Sequence, residues 1–225
     1  MDNIKISVLL AVYNGEKYIK KSIESVLNQT YSNIELLIGF NGTIDKSKKI
    51  VSEFNDSRIK TFDYGIDAGK AKTLNKMIGQ ASSDWLAMQD DDDNWMPKKL
   101  QKQVEYINEY DIIGTQILYI NESEEIIGQP NLSTNHNDIL SKSLNGENQI
   151  ANTSAIFKKT KAIEVGGWDE NIVGIEDYDF WLKMMVKANC KTKNLNTCHV
   201  WHRLHNNSNF NTKLWDIEKM IKKYK

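Results

Sequence analysis

The chain has 225 residues, 40% of them hydrophobic and 26% charged, which is typical of a globular protein long enough to form one domain with a sizeable core. Its formal net charge of -1 excludes the basic character of most nucleic-acid-binding proteins, so no nucleic-acid partner is predicted. The two cysteines, Cys190 and Cys198, match no disulfide framework and no zinc or redox pair. The first apolar run, residues 5–12, is too short for a signal peptide or membrane span, and we predict a cytoplasmic protein.

The first hundred residues alternate between strand and helix patterns. Apolar runs rich in Val, Ile and Leu predict buried strands, and apolar positions three or four residues apart predict helices between them. The predicted strands are residues 5–12, 34–40, 59–64 and 85–88, and the predicted helices are residues 16–28, 50–54 and 71–81. Short connections between alternating strands and helices are typical of βαβ units. We therefore predict an α/β fold with a Rossmann-like, mostly parallel central sheet and helices on both faces.

The second half of the chain is less regular. Residues 98–110 are predicted to be helical, residues 111–120 and 152–159 to be strands, and residues 180–188 to lie in an apolar helix. A final helix is predicted from Leu214 onward. Its apolar face would hold Leu214, Ile217, Ile221 and Tyr224, and its other positions hold Lys213, Lys219, Lys222, Lys223 and Lys225. Two interpretations stay open: the helix packs on the domain's own core, or it lies on an anionic membrane surface.

Four consecutive aspartates, Asp90–Asp93, lie just past the carboxyl end of the fourth predicted strand. Tyr13 and Asn41 follow the first and second strands in the same way. Because ligands of open α/β sheets bind beyond the carboxyl ends of the strands, these residues are expected at one common edge. A carboxylate cluster there can hold Mg²⁺ or Mn²⁺, which complete their shells with water and phosphate. The alternative is a solvated acidic turn, and the strand-end position favours a ligand site.

Several segments, in this order, resemble family 2 glycosyltransferases with the GT-A nucleotide-sugar fold. The opening "ISVLLAVYNGEKYIKKSIESVLNQTYSNIELLI" is similar to the family's first βαβ unit, and "DDDDNWMPKKLQKQ" resembles its Asp-x-Asp-Asp segment. "GGWDE" and "IEDYDFWLK" resemble its acceptor loop and the helix with its catalytic base, and "HRLH" resembles a late Arg-x-His element. The match covers most of residues 5–208. The resemblance implies an inverting transferase that uses a nucleotide-diphosphate sugar and moves a hexosyl or N-acetylhexosaminyl group.

The resemblance also implies a role for individual residues. Asp177 is expected to be the catalytic base. The residues expected to bind the nucleotide-sugar donor are Ala11, Val12, Tyr13, Asn41, Lys70, Lys72, Asp90, Asp92 and Arg203. Those expected to bind Mn²⁺ or Mg²⁺ are Asp92, Asp93 and His205, and those expected to bind the acceptor are Gly167, Trp168 and Glu176. Asp91 fills the variable position of the motif and is expected to have no direct role.

Position 41 departs from the family, which usually has a base-reading aspartate there. The Asn41 carbonyl can still accept the imino proton of uracil, whereas a charge-assisted bond to guanine would be lost, so UDP donors are favoured. The expected acceptor is a hydroxyl of a glycan, a lipid-linked sugar or a protein, and the expected process is polysaccharide biosynthesis. Residues 1–110 are predicted to form the nucleotide-sugar-binding half and residues 111–225 the acceptor-binding half of one compact domain.

The chemistry of these residue types fits glycosyl transfer. A carboxylate beside the acceptor hydroxyl can act as general base, and a divalent metal stabilises the departing diphosphate. With one base and no enzyme nucleophile, direct displacement inverts the anomeric centre.

Three alternatives remain at this point. A sugar-1-phosphate nucleotidyltransferase would normally have a Gly-rich, basic phosphate loop after the first strand, where this chain has "VYNGEKY". A non-catalytic nucleotide-sugar-binding protein could keep the fold, although it would not need Asp90, Asp92 and Asp177. A zinc site could form from Cys198, His199, His202 and His205, although their spacing matches none of the usual patterns.

Overall fold

The computed structural model describes residues 4–66, 69–205 and 216–225. The strands are β1 (Ile6–Val12), β2 (Ile34–Phe40), β3 (Ile59–Asp63), β4 (Trp85–Asp90), β5 (Asn94–Trp95), β6 (Ile112–Ile120), β7 (Ile126–Gly128), β8 (Ile156–Lys158) and β9 (Thr192–Arg203). The helices are α1 (Ile19–Leu27), α2 (Ser47–Ser52), α3 (Lys70–Gln80), α4 (Lys99–Gln103), α5 (His136–Leu144), α6 (Lys159–Glu164), α7 (Glu176–Lys187) and α8 (Ile217–Ile221). Two 3₁₀ segments lie at Val104–Tyr106 and Asn152–Ser154.

The described strands form one mixed sheet in the order β3-β2-β1-β4-β8-β6-β9-β5, with β7 beside β6. Strands β3, β2, β1 and β4 are parallel to one another, and β6 is parallel to β9. Strand β8 is antiparallel to both of its neighbours, β4 and β6. The predicted α/β class and its parallel sheet in the first half of the chain are therefore confirmed.

Both faces of the sheet are covered, which explains the continuous apolar runs of β1 and β2. Side chains alternate between the faces along a strand. In β1, Val8 and Leu10 face the core that contains α1, and Leu9 faces the core that contains α3 and α7. All three side chains are fully buried. This packing fixes the position of the carboxyl ends of β1 and β4.

The structure differs from the prediction mainly in the second half. Strands β5, β7 and β9 and helices α5 and α6 were not predicted. Residues 152–154 form a 3₁₀ turn rather than the first part of a strand, and the helix predicted at residues 98–110 ends at Gln103 and continues as 3₁₀. Strand β9 lacks an apolar pattern because polar groups inside it have partners: the Asn194 amide donates to the backbone carbonyls of Ser133 and Gln149 at 2.8 and 2.7 Å.

Helix α8 begins at Ile217, and the predicted positions 213 and 214 lie outside the described residues. Met220 and Ile221 are buried, and Tyr224 Oη donates to Asp179 Oδ1 of α7 at 2.7 Å. The apolar face of α8 thus packs on the domain's own core, the first of the two open interpretations. None of the helices within the described ranges has both the length and the apolar character needed to cross a bilayer.

Candidate active site

The carboxyl ends of β1, β2 and β4 meet at one edge of the sheet. The strand register places Ala11 of β1 beside Asp90 of β4, and Val12 beside Phe40 of β2. Asp90 is the last residue of β4 rather than a residue just past its end, because the strand is two residues longer than predicted. Ala11, Val12 and Asp90, which were predicted to contact the sugar donor, therefore lie at the same edge of the sheet.

Tyr13 provides an open aromatic surface at this edge. Its side chain is 64% exposed, directly after β1. The neighbouring Asn14 has φ 53° and accepts a hydrogen bond from the Ile44 amide at 3.0 Å, which ties the β1–α1 turn to the segment after β2. Val12 is fully buried, and its backbone carbonyl accepts a hydrogen bond from the backbone N–H of Asn41 at 2.9 Å. An exposed ring on a fixed turn can stack on a planar base.

A cluster of three charged groups lies next to this edge. Lys70 Nζ lies 3.0 Å from Asp90 Oδ1 and 3.2 Å from Asp177 Oδ2. The Asn152 amide donates to Asp90 Oδ1 and Oδ2 at 3.3 and 3.2 Å. We call Asp90, Lys70 and Asp177 the ion-paired cluster. It joins the end of β4 to the first turns of α3 and α7, whereas Lys72, the other lysine predicted here, is exposed.

The two carboxylates of the ion-paired cluster titrate differently. Burial raises the pKa of Asp177 to about 7, and the nearby Glu176 and Asp90 charges add to the effect of burial, while the Lys70 ammonium opposes it. Burial also disfavours ionisation of Asp90, but Lys70 and the Asn152 amide outweigh it and lower the Asp90 pKa. Asp177 is therefore the group whose charge changes near neutral pH.

Asp93 is sealed inside the protein. It is fully buried, its Oδ2 lies 2.9 Å from His202 Nδ1, and its Oδ1 accepts a bond from the Arg203 amide at 2.8 Å. Burial raises the Asp93 pKa to about 6. Burial opposes protonation of His202, but the Asp93 carboxylate outweighs it and raises the His202 pKa to about 9. We call Asp93 and His202 the buried pair; it fastens the aspartate segment to β9.

Arg203 is buried as well, and its guanidinium faces protein groups. Its Nε donates to the Asp92 carbonyl at 3.0 Å and its Nη1 to the Asn121 carbonyl at 3.0 Å. Its Nη2 lies 3.2 Å from Glu124 Oε1, and the guanidinium carbon lies 4.5 Å from the centroid of the Tyr18 ring. In this conformation the Arg203 guanidinium holds the backbone of the aspartate segment through the Asp92 carbonyl. Its contact with a sugar donor stays a prediction.

Asp92 and His205 form the part of the site that fits a divalent cation. Asp92 Oδ2 lies 2.9 Å from His205 Nε2, and both side chains are partly exposed. The two groups are hydrogen-bonded to each other here, and their separation is also close to the ~3.0 Å between adjacent ligands of an octahedral ion with ~2.1 Å bonds. Within the described ranges no three His, Cys, Asp or Glu side chains converge, so the remaining ligands would be water and substrate oxygens. Asp93, the third predicted ligand, already has partners on both oxygens.

The alternative zinc site finds no support in the described part of the chain. His199 Nε2 lies 2.9 Å from Thr197 Oγ1, whereas His202 and His205 pair with Asp93 and Asp92. The histidines thus turn to three different partners.

Asp91 contacts the turn that carries Tyr13. The Tyr13 amide lies 3.4 Å from Asp91 Oδ2, and a Cβ added at Gly15 would lie only 2.4 Å from the same oxygen. A side chain at position 15 would therefore displace the Asp91 carboxylate from this position. Asp91, which was expected to have no direct role, helps to position the β1–α1 turn.

The loop predicted to bind the acceptor is anchored on α3. Asn75 Oδ1 accepts a bond from the Trp168 amide at 2.8 Å, and the Asn75 amide donates to the Trp168 carbonyl at 3.0 Å. Gly167 has φ 68°, and an added Cβ there would lie 2.1 Å from Asn75 Oδ1. The Trp168 ring is buried and stacks on Phe180 with centroids 4.0 Å apart. The ring thus belongs to the core, and acceptor contact by Trp168 stays a prediction.

Glu176 begins α7 beside Asp177. It is buried, and its Oε2 accepts a bond from the Gly174 amide. A carboxylate in the first turn of a helix is stabilised by the helix dipole. Glu176 is therefore held in place next to the ion-paired cluster, and its predicted contact with the acceptor stays a prediction.

Sequence reasoning missed Asn75 and Asn152 and gave His202 no role of its own. Asn152 fell inside a predicted strand, and Asn75 is a polar position within a predicted helix. Both contact residues about 60 or more positions away, at Asp90 and Trp168. No local pattern predicts such contacts. A buried acid in the aspartate run requires a partner, and the group of histidines between residues 199 and 205 was the available indication that His202 could be that partner.

The model of the family described as glycosyl transferase family 2 matches residues 7–165. The chain is 36% identical over 211 residues to the O-antigen biosynthesis glycosyltransferase WbnJ of Escherichia coli, which covers 90% of this chain and 81% of that protein. It is 28% identical over 226 residues to the UDP-Glc:alpha-D-GlcNAc-diphosphoundecaprenol beta-1,3-glucosyltransferase WfgD of Escherichia coli, covering 97% of this chain and 85% of that protein.

Among solved structures, the chain is similar to S. aureus TarS 1-349 in complex with UDP-GlcNAc, with a TM-score of 0.79 and 19% identity. The likeness covers 96% of this chain and 64% of that chain, so this chain spans less than two thirds of TarS 1-349. At this identity the likeness establishes the fold.

Proposed function

This chain belongs to glycosyl transferase family 2, and from that premise we propose that it is an inverting transferase that moves a sugar from a UDP-linked donor to an acceptor hydroxyl. The class is shown by its relatives: the chain is a glycosyltransferase with a GT-A-type fold. The observation that carries the proposal is the ion-paired cluster, in which one ammonium lies 3.0 Å from Asp90 and 3.2 Å from Asp177. It joins the donor-side aspartates to the carboxylate proposed as base.

The proposed donor is a UDP-sugar. Tyr13 would stack on the uracil ring, and Asn41 would accept its imino proton. Ala11 and Val12 would line the base through β1. Asp90 would hold the ribose or the sugar, and Lys70 would approach the diphosphate. A UDP-GlcNAc complex of TarS and the UDP-Glc named for WfgD support this choice of nucleotide.

The proposed base is Asp177. It would accept the proton of the acceptor hydroxyl while the hydroxyl oxygen forms the new bond to the anomeric carbon and the nucleotide diphosphate leaves with the electron pair of the broken bond. A pKa of about 7 suits a general base that works near neutral pH. Since the transfer would use this one carboxylate and no enzyme nucleophile, displacement occurs from the opposite face and inverts the anomeric centre.

Asp92 and His205 are proposed to hold Mn²⁺ or Mg²⁺, supported by their 2.9 Å separation. When bound, such an ion stabilises the negative charge of the departing diphosphate. Asp93 would join them as a ligand only by giving up its bond to His202 or to the Arg203 amide. The buried pair instead supports the position of Asp92 from the neighbouring residue.

The proposed acceptor is a sugar carried on a lipid diphosphate, and the proposed process is polysaccharide biosynthesis at the cytoplasmic face of a membrane. The O-antigen biosynthesis named for WbnJ and the GlcNAc-diphosphoundecaprenol named for WfgD support this choice. Gly167, Trp168 and Glu176 would shape the acceptor side. Because the apolar face of α8 packs on the core, the proposed contact with anionic lipid would be electrostatic only, through exposed lysines such as Lys219 and Lys222. Flotation with anionic liposomes tests this contact, and absence of co-migration at low salt would contradict it.

A thermal-shift panel of nucleotide-diphosphate sugars with Mn²⁺ tests the proposed donor. A ligand at ~100 times its dissociation constant stabilises the folded state by about 2.7 kcal/mol. We expect UDP and a UDP-sugar to raise the melting temperature, with GDP- and ADP-sugars as matched controls. Stabilisation by a GDP-sugar alone would contradict the UDP assignment.

A further inference from the structure

The Asp177 side chain is about a fifth exposed, but one of its carboxylate oxygens is sealed in the protein and the other is paired with Lys70. Oδ2 is ion-paired with Lys70 Nζ at 3.2 Å. Oδ1 has less than 1 Å² of accessible surface and no hydrogen-bond partner among the described residues. A hydroxyl can give its proton to a carboxylate only by contacting one of these oxygens. The structure therefore shows Lys70 paired with the carboxylate oxygen that could meet an acceptor, and we call this arrangement the closed state.

Lys70 can leave this position more easily than the groups around it. It is the first residue of α3, its side chain is 31% exposed, and a lysine ammonium sits on a flexible four-carbon stem. Asp90 and Asp177 are attached to the rigid end of β4 and the first turn of α7. A movement that opens Asp177 thus falls to Lys70 rather than to the carboxylates.

A nucleotide diphosphate would compete directly for the Lys70 ammonium. Lys70 already contacts Asp90, the aspartate at the proposed donor edge, at 3.0 Å. A diphosphate carries more negative charge than one carboxylate, so at the same distance it attracts the ammonium more strongly. A donor that binds at this edge therefore attracts Lys70 away from Asp177.

We propose that Lys70 is a positioning residue that holds Asp177 closed in the ligand-free enzyme, and that the diphosphate of the sugar donor opens the base by drawing the Lys70 ammonium away. This inference rests on the proposed function only for the identity of that ligand. Its consequence is that Asp177 can take the proton of an acceptor hydroxyl only when a donor is bound. The acceptor hydroxyl is then activated only when the anomeric carbon is in place.

Carbodiimide-driven labelling of carboxyl groups, read residue by residue by mass spectrometry, measures the accessibility of Asp177. UDP with Mn²⁺ is the probe because it supplies the diphosphate without a sugar that would cover Asp177. In the parent protein we expect slow labelling of Asp177 without ligand and labelling about 5-fold faster or more with UDP and Mn²⁺, the ratio that corresponds to ~1 kcal/mol. In Lys70→Met we expect fast labelling with and without UDP.

Two controls separate this role from a structural one. Lys76→Met removes an exposed lysine six positions along α3 and should label as the parent does. Asp179, which is 1% exposed on the same helix, should stay unlabelled in every variant. A parallel rise at Asp179 in Lys70→Met would mean that Lys70 only keeps α7 folded, and would overturn the proposal. If Lys70→Met does not fold, Lys70→Gln serves in its place.

The experiment also separates failure of this inference from failure of the proposed function. Equal Asp177 labelling in ligand-free parent and Lys70→Met would overturn the closed state whatever the donor is. Calorimetry on the same samples reports UDP binding. If UDP binds and Asp177 labelling does not rise, opening by the diphosphate is wrong while the UDP assignment stands. If UDP does not bind, the UDP assignment fails, and the ligand-free comparison still decides whether Lys70 closes the base.

Discussion

The ion-paired cluster and the buried pair draw on the same run of aspartates but have opposite character. In the buried pair, Asp93 is fully buried and has fixed partners on both oxygens. In the ion-paired cluster, Asp90 and Asp177 are each about a fifth exposed and share one flexible ammonium. The buried pair fastens the segment after β4 to β9, whereas the ion-paired cluster faces the open edge of the sheet. Carboxylates three positions apart can thus serve stability and chemistry separately.

The largest effect is expected from Asp177→Asn, which removes the proposed base and keeps the shape of the side chain. Turnover should fall at least ~100-fold, while the Michaelis constant for the sugar donor changes little, because the base acts on the acceptor in the transition state. Steady-state kinetics with saturating donor and acceptor measure this. Glu176→Gln and Asp179→Asn are the controls on the same helix and should retain most of the turnover per folded molecule. Equal turnover in Asp177→Asn would contradict the assignment.

Asp93→Ala should lose the most stability. It leaves His202 and the Arg203 amide without their partner, and breaking a buried ion pair from one side costs 3–5 kcal/mol. We expect about 3 kcal/mol, because the His202 ring is partly exposed. Asp90→Ala is the matched control from the ion-paired cluster and should cost much less, because Lys70 keeps Asp177 as its partner. Urea denaturation measures both. Equal losses would show that the two groups of residues do not differ in the way described.

The sequence predicted the donor edge better than the buried pair, for a physical reason. Strands β1 and β2 are buried on both faces, so each gives a continuous apolar run, and the topology of parallel strands then places their carboxyl ends together. The buried pair depends on β9, whose Asn194 and His199 interrupt any apolar pattern. Its partners, Asp93 and His202, are more than a hundred residues apart. Lys70 and Lys72 could not be separated from sequence either, since which one reaches Asp177 depends on the rotation of α3.

Asp92→Ala should weaken UDP binding in the presence of Mn²⁺ by at least ~10-fold. Loss of a metal ligand lowers the affinity for Mn²⁺, and the UDP diphosphate then loses its bond to the ion. The ligand-free protein should remain as stable as the parent, since one of several neighbouring negative charges is removed. Calorimetry of UDP with and without Mn²⁺ measures this. Asp91→Asn is the control, because Asp91 contacts the β1–α1 turn rather than the proposed metal and asparagine keeps the shape of the side chain. Unchanged Mn²⁺-dependent binding in Asp92→Ala would contradict the metal assignment.

The smallest effect is expected from pH. The pKa of His202 is about 9 in the folded protein, above its ordinary value of 6.5, so its contribution to stability is complete below pH ~6.5 and is lost as the pH rises through ~9. The Asp93 pKa is also raised, to about 6, so the contribution of that group is already lost below neutral pH. Stability should therefore fall between pH ~7 and ~9. Urea denaturation at both pH values measures the fall, and His202→Gln should reduce it. An equal fall in that variant would assign it to other groups.

A crystal structure of the protein with UDP and Mn²⁺ tests the central claim most directly. We predict the uracil ring against Tyr13, the diphosphate beside Lys70, the ion between Asp92 and His205, and Asp177 no longer paired with Lys70. UDP bound away from the carboxyl ends of β1 and β4, or a diphosphate with no contact to the aspartate segment, would contradict the assignment of this edge as the active site.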